Sequence, residues 1–167
     1  GYMRPKFEGG PWYEEFSPVK SAVGKEDNFG TRDYVEANAW QYTWFVPHDL
    51  KGLIELMGAD EFNNRLEAGF KKSLPVFTSE FVNHSNQPNM QAAWLFNYSG
   101  KPWLTQYWVR EILDKYYGTN PFNGYPGDED EGQMGAWYVM SAMGLFEMDG
   151  GASTDPAYEL SGPLFRK

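Results

Sequence analysis

The sequence predicts an all-α domain that forms about half of a double ring of helices. Six segments place apolar residues at helical spacing and end near glycine, proline or short polar stretches. The first predicted helix is apolar on two opposite sides, whereas the fifth is apolar on one side. Alternation of this kind fits an inner ring wrapped by an outer ring, about half of an (α/α)6 barrel. An ordinary helical bundle is the alternative.

The predicted elements divide the chain into three parts without a Gly/Ser-rich linker. Residues 1–30 are loop-rich, because Gly-Gly-Pro, Ser-Pro and Asn-Phe-Gly are turn chemistry. Residues 31–147 carry the helices, and residues 148–167 form an exit segment with a possible short strand at 158–161. The helices are expected at residues 32–45, 49–57, 60–72, 90–98, 103–117 and 132–144.

Composition narrows the class of protein. A chain of 167 residues with 41% hydrophobic and 22% charged residues is one globular domain with a real core. Its net charge of -9 argues against a nucleic-acid partner. It contains no apolar run long enough to predict a membrane span, and no cysteine for disulfides or thiol chemistry.

The acidic segment from Tyr125 to Met134 is the most informative stretch. It places four consecutive carboxylates on a Pro-Gly turn directly before a helical run. Asp128 and Asp130 could share a cation or a water molecule, and one of them could deprotonate an attacking water. The alternative is an acidic helix N-terminus that favours the helix dipole.

Glu36 is the second candidate for acid–base chemistry. In the predicted first helix it shares a face with Trp40, Thr43 and Trp44. Burial beside apolar rings favours the protonated form of a carboxyl group, as a general acid requires. The alternative is a structural ion pair with Arg32.

A polar stretch at residues 83–89 offers amide oxygens of the kind that calcium prefers. It can equally be a polar loop with helix caps. Aromatic residues make up 18% of the chain, which suits sugar binding, although most of the seven tryptophans are expected in the core.

Four blocks of sequence together resemble glycoside hydrolase family 92, the calcium-dependent, inverting exo-α-mannosidases. The two most specific are EANAWQYTWFVPHD at 36–49 and PGDEDEGQM at 126–134, followed by AWYV at 136–139. The other two are GYMRP at 1–5 and the pair formed by Asn86-Gln87-Pro88 and NYSGKPW at 97–103.

The resemblance implies a role for each candidate residue. Glu36 corresponds to the general acid, Asp130 to the general base and Asp128 to its supporting carboxylate. Substrate contacts are expected from Trp40, Gln41, Trp44, Asn86 and Gln87. Asn86 and Gln87 are also the expected calcium ligands. The implied substrate is a terminal α-mannoside of an oligosaccharide, an N-glycan or a yeast-mannan-like glycan.

The resemblance also implies a longer parent protein, with an N-terminal β-sandwich and a complete barrel. We expect this chain to be a piece of it, prone to self-association and inactive alone. The parent is expected to be secreted, periplasmic or at the surface of a bacterial cell. Two alternatives are a non-catalytic, sugar-binding or self-associating helical module, and an enzyme acting on another sugar.

Overall fold

The computed structural model describes residues 1–20, 33–74 and 80–165, and its regular structure there is mainly helical. Two short 3-10 helices span Gln87–Asn89 and Ala92–Asn97. The strands β1 (Leu145–Phe146) and β2 (Glu159–Leu160) pair antiparallel, so the strand expected at 158–161 is present. The α-helices are α1 (Ala39–Tyr42), α2 (Leu50–Met57), α3 (Ala59–Ser73), α4 (Pro102–Tyr116) and α5 (Gln133–Ala142).

The N-terminal segment is loop-like, as the turn residues predict. Within residues 1–20 the backbone pairing is an isolated bridge between Lys6 and Trp12. The remaining turn predicted at 28–30 and the predicted helix start at Arg32 lie outside the described residues.

Helices α2 and α3 follow their sequence signals closely. The Asp49 carboxylate accepts a hydrogen bond from the Gly52 N–H at 2.9 Å and caps α2. Gly58, with a φ of 81°, ends α2 and begins α3. The helix expected from residue 60 therefore begins one residue earlier, at Ala59. Asp60 lies in its first turn, where a negative charge favours the helix dipole.

The first predicted helix, residues 32–45, is much shorter than expected. Glu36 has a positive φ of 58°, which a right-handed helix cannot contain. The helix α1 begins only after Asn38, whose side chain accepts from the Gln41 N–H at 3.0 Å while the Gln41 side chain accepts from the Asn38 N–H at 3.1 Å.

Side chains distant in sequence mark the end of α1. Asn89 donates its amide to the Gln41 carbonyl, and Gln91 donates to the Trp44 carbonyl, each at 3.1 Å. These two backbone carbonyls therefore accept hydrogen bonds from side chains outside the helix. Sequence spacing alone does not reveal partners that lie 47 and 48 residues away.

The predicted helix at 90–98 is a 3-10 helix rather than an α-helix. Its N–H groups bond three residues back, as from Trp94 to Gln91 and from Tyr98 to Leu95. Residues 92–96 are all buried, so apolar spacing could not identify the helix type. The last two predicted helices agree with α4 and α5 to within two residues.

The core is a cluster of aromatic rings between α3, the second 3-10 helix and α4. Phe70 stacks on Trp108 at a ring-centroid distance of 4.8 Å. Gly69 leaves room for Trp40, because a Cβ there would lie 2.2 Å from the indole ring. Within the described part of the chain, no helix combines the length and apolarity needed to cross a membrane.

Candidate active site

One acidic cavity of about 440 Å³ collects most of the predicted site residues. Three segments that are far apart in sequence form its wall: Glu36, the loop at 83–87, and the turn at 127–130. Five of the eight predicted site residues lie here, namely Glu36, Asn86, Gln87, Asp128 and Asp130.

Glu36 lies at the cavity on an exposed turn, not on a helix face beside tryptophans as expected. The prediction fails because the backbone at Glu36 is left-handed and α1 begins three residues later. Two neighbours hold the turn: Asn86 donates its amide to the Glu36 carbonyl at 3.0 Å, and the Tyr42 hydroxyl donates to the Val35 carbonyl at 2.6 Å. The alternative partner Arg32 is outside the described residues.

Trp40 and Trp44 belong to the core, which corrects their predicted role as sugar contacts. They are 3% and 0% exposed, with their rings 5.4 Å apart in an edge-on arrangement. An indole with no exposed face cannot stack on a sugar. Gln41 is also buried, and its side chain caps α1, but it borders a small recess beside Glu36.

The turn that carries Asp130 has an unusual backbone. Asp130, Glu131 and Gly132 have φ values of 52°, 59° and 88°, so three successive residues are left-handed. For the two residues with side chains this conformation costs of order 1–3 kcal/mol each. The Glu129 carboxylate offsets part of this cost, because it accepts hydrogen bonds from the N–H groups of Glu131 and Gly132.

The Asp130 carboxyl group faces the cavity, close to other negatively charged groups. Its Oδ2 atom is buried and has no hydrogen-bond partner within the described residues. Burial raises the pKa of Asp130 above its ordinary value, and the negative charges of Asp128 and Glu36 raise it further. A carboxylate with a raised pKa binds a proton more readily, which is the property a general base needs.

Asn86 and Gln87 supply amide groups beside these carboxylates. The Asn86 Oδ1 atom accepts from the Gln87 N–H at 3.0 Å, while its Nδ2 atom holds Glu36. A second lone pair on Asn86 Oδ1 and the Gln87 side-chain oxygen are hard donors of the type calcium prefers. Across the described ranges, no group of three or more His, Cys, Asp or Glu side chains could hold a metal ion.

The two walls of the cavity touch at Ser85 and Gly127, which sequence reasoning did not single out. A Cβ at Gly127 would lie 2.7 Å from the Ser85 Cβ, so only glycine allows this approach. Ser85 is fixed by Asn83, whose Oδ1 atom accepts from the Ser85 hydroxyl at 2.6 Å and its N–H at 3.1 Å. An Asn two residues before Ser in a polar stretch is the signal that was available.

His84 connects the same loop to aromatic residues of the interior. It is fully buried, and its Nε2 atom lies 2.9 Å from the Tyr117 hydroxyl. Its ring also meets the Trp137 ring edge-on at 4.3 Å. Burial lowers the pKa of His84 to about 3, so the imidazole is neutral at physiological pH. His84 is therefore a structural support of the site loop.

Comparison with known proteins now decides the family. The sequence matches the glycosyl hydrolase family 92 catalytic domain over residues 1–167. The chain belongs to this family. The resemblance drawn from the four sequence blocks is thereby confirmed, and the helical fold agrees with that of family 92 structures.

Solved family 92 structures are similar along nearly the whole chain. One is an α-mannosidase from Bacteroides thetaiotaomicron, 33% identical, with a TM-score of 0.80 over 97% of this chain and 20% of that one. Its complex with mannoimidazole gives 30% identity and a TM-score of 0.81, over 97% of this chain and 22% of that one.

A curated relative from Arthroderma benhamiae is named an uncharacterized secreted glycosidase. It is 28% identical over 155 residues, which are 90% of this chain and 19% of the relative. The chain thus spans about a fifth of the length of the family members it matches.

Proposed function

We propose that this chain is the part of a longer family 92 glycosidase, its parent protein, that carries both catalytic carboxylates. The parent removes terminal α-linked mannose from glycans with inversion of the anomeric centre. One observation carries the proposal: Glu36 and Asp130, 94 positions apart, border one cavity of about 440 Å³. This volume is in the range of small-molecule sites, about 300–1,000 Å³.

The reaction assigns a different proton transfer to each carboxyl group. Protonated Glu36 donates its proton to the glycosidic oxygen as the bond from that oxygen to the anomeric carbon breaks. Asp130 takes a proton from the water that attacks the anomeric carbon from the opposite face. Asp128 supports Asp130 by keeping its affinity for a proton high through charge repulsion. Solvent then returns the proton from Asp130 to Glu36.

Calcium assistance is the second part of the proposal. Asn86 and Gln87 would hold the ion through their side-chain oxygens, and the unpaired Asp130 Oδ2 atom supplies negative charge nearby. When bound, the ion would supply positive charge beside the sugar, which would favour distortion of the ring towards the transition state. Adding a chelator should reduce turnover of the parent, and calcium should restore it. Full turnover in chelator would overturn this part.

Proton NMR of the first-formed product tests the stereochemistry. An α-mannoside should release β-mannose first, with the α-anomer appearing later by mutarotation. Release of α-mannose first would contradict the proposed roles, because retention requires a covalent intermediate. A panel of aryl glycosides would show whether mannose is preferred over glucose.

A second candidate concerns the 167-residue chain by itself: a self-associating helical module without activity. Its supporting observation is a second cavity of about 630 Å³ lined by Tyr117, Phe122, Tyr125, Tyr138 and Val139. Phe122 is 96% exposed, so aromatic surface lies open around this cavity. Sedimentation should detect oligomers, and the chain alone should not hydrolyse mannosides. Turnover equal to that of the parent by a monomeric chain would contradict both expectations.

Export of the parent from a bacterial cell completes the proposal. Export is supported by the name of the Arthroderma relative, a secreted glycosidase, and a bacterial source by the similarity to the Bacteroides thetaiotaomicron α-mannosidase. Fractionation of the source cells should find the parent in the medium, in the periplasm or at the cell surface. Recovery only from the cytoplasm would overturn this part.

A further inference from the structure

We propose that Glu129 is a positioning residue, which holds the left-handed turn and so aims Asp130 into the acidic cavity. The inference rests on the proposed role of Asp130 as the general base. Glu129 itself does not line the cavity.

The Asp130 side chain is weakly held at its carboxyl end. Within the described residues, its buried Oδ2 atom has no hydrogen-bond partner. The direction of this side chain therefore depends on the backbone at Asp130, where φ is 52°. Any change in that backbone angle redirects the carboxylate relative to Glu36.

The left-handed backbone at residues 130–132 needs a stabilising contact from a side chain. Three successive left-handed residues, two of them not glycine, are disfavoured without compensation. The Glu129 side chain spans this run, with Oε1 accepting from the Glu131 N–H at 3.1 Å and Oε2 accepting from the Gly132 N–H. A carboxylate offers one oxygen to each of the two N–H donors, and its charge makes both hydrogen bonds stronger than those to a neutral acceptor.

The hydrogen bonds of Glu129 can be distinguished from the effect of its negative charge on Asp130. Glu129 and Glu131 are both negative charges that raise the pKa of Asp130. Only Glu129 also bonds to the turn through its side chain, since Glu131 contributes its backbone N–H. Glu131→Gln is thus a control that removes a nearby charge and leaves both hydrogen bonds in place.

The test uses the parent protein with Glu129→Ala, Glu129→Gln and Glu131→Gln. We expect Glu129→Ala to lower kcat for an α-mannoside about a hundredfold, because displacement of a catalytic group by about 1 Å has that order of effect. KM should change little. Glu129→Gln keeps one acceptor oxygen and should fall between, whereas Glu131→Gln should stay within a few-fold of the wild type. Equal losses in Glu129→Ala and Glu131→Gln would overturn the proposal.

Hydrogen exchange of the Glu131 and Gly132 amides supplies a readout that is independent of activity. Both amides should be protected in the wild type and in Glu131→Gln, and exposed in Glu129→Ala. Fast exchange in the wild type, or unchanged kcat after protection is lost, would overturn the positioning role. If the wild type hydrolyses no mannoside but its amides show this pattern, the proposed function is wrong. The inference that Glu129 holds the left-handed turn is then still supported.

Discussion

The acidic cavity and the aromatic core share the segment from residue 36 to residue 44 but are built in opposite ways. Glu36 has a left-handed backbone, whose carbonyl accepts a hydrogen bond from the Asn86 amide, and its side chain is exposed. Trp44, eight residues later, is fully buried and held by ring packing, with Phe62 at 5.2 Å. The packed core thus supports the left-handed turns that place carboxyl groups at the cavity.

The largest expected effect comes from removing the acid at the cavity. In the parent, Glu36→Gln cannot donate a proton to the leaving oxygen, so kcat for an unactivated α-mannoside should fall about 10²- to 10⁴-fold. The loss should be much smaller for an aryl mannoside whose leaving group needs no proton. Steady-state rates on both substrates provide the measurement. An equal loss on both would mean that Glu36 is not the general acid.

The matching change in the core should act on stability instead. Trp44→Ala removes a ring with 0% exposure and should lower the free energy of unfolding by about 3–5 kcal/mol. Phe122→Ala is the control, because Phe122 is 96% exposed and should change stability by less than about 0.5 kcal/mol. Urea unfolding of the 167-residue chain measures both.

Activity measurements on the same core variant sharpen the comparison. In the parent, Trp44→Ala should leave KM for mannosides unchanged at a temperature where the variant is folded. A raised KM with unchanged stability would show that Trp44 contacts sugar, and would restore the interpretation that its burial contradicts.

The sequence was more informative for the core helices than for the site. Helices α2 to α5 could be located because apolar spacing and residues such as Asp49 and Gly58 act locally. The end of the first helix could not, because it is marked by contacts with Asn89 and Gln91, which are distant in the chain.

The sequence predicts the types of the site residues, but it does not predict the directions of their side chains. Consecutive carboxylates at 128–131 indicate acid–base chemistry, yet no residue letter shows that Asp130 is left-handed. The tryptophans near Glu36 suggested a sugar-binding surface, because indole rings commonly bind sugars. Their burial depends on long-range packing such as the gap that Gly69 leaves for Trp40.

A smaller effect is expected where the two walls of the cavity meet. Gly127→Ala places a methyl group 2.7 Å from the Ser85 Cβ, so the two walls must separate. We expect kcat/KM of the parent to fall about ten- to a hundredfold, since the carboxylates move relative to each other. Gly124→Ala is the control in the same loop, because its nearest neighbour would be at an ordinary 3.4 Å. Similar losses in both variants would indicate general loop damage instead.

The smallest expected effect concerns His84, which links the site loop to the core. Its pKa is lowered from 6.5 to about 3, so the unfolded chain binds a proton below pH 6.5 that the folded chain does not. Stability is therefore fully present above pH 6.5 and falls towards pH 3, by about 1.4 kcal/mol per pH unit. Between pH 7 and pH 5 the wild-type chain should lose about 2 kcal/mol more than His84→Gln, measured by urea unfolding. Equal losses would mean that His84 takes up a proton in the folded state, which its burial against Tyr117 and Trp137 opposes.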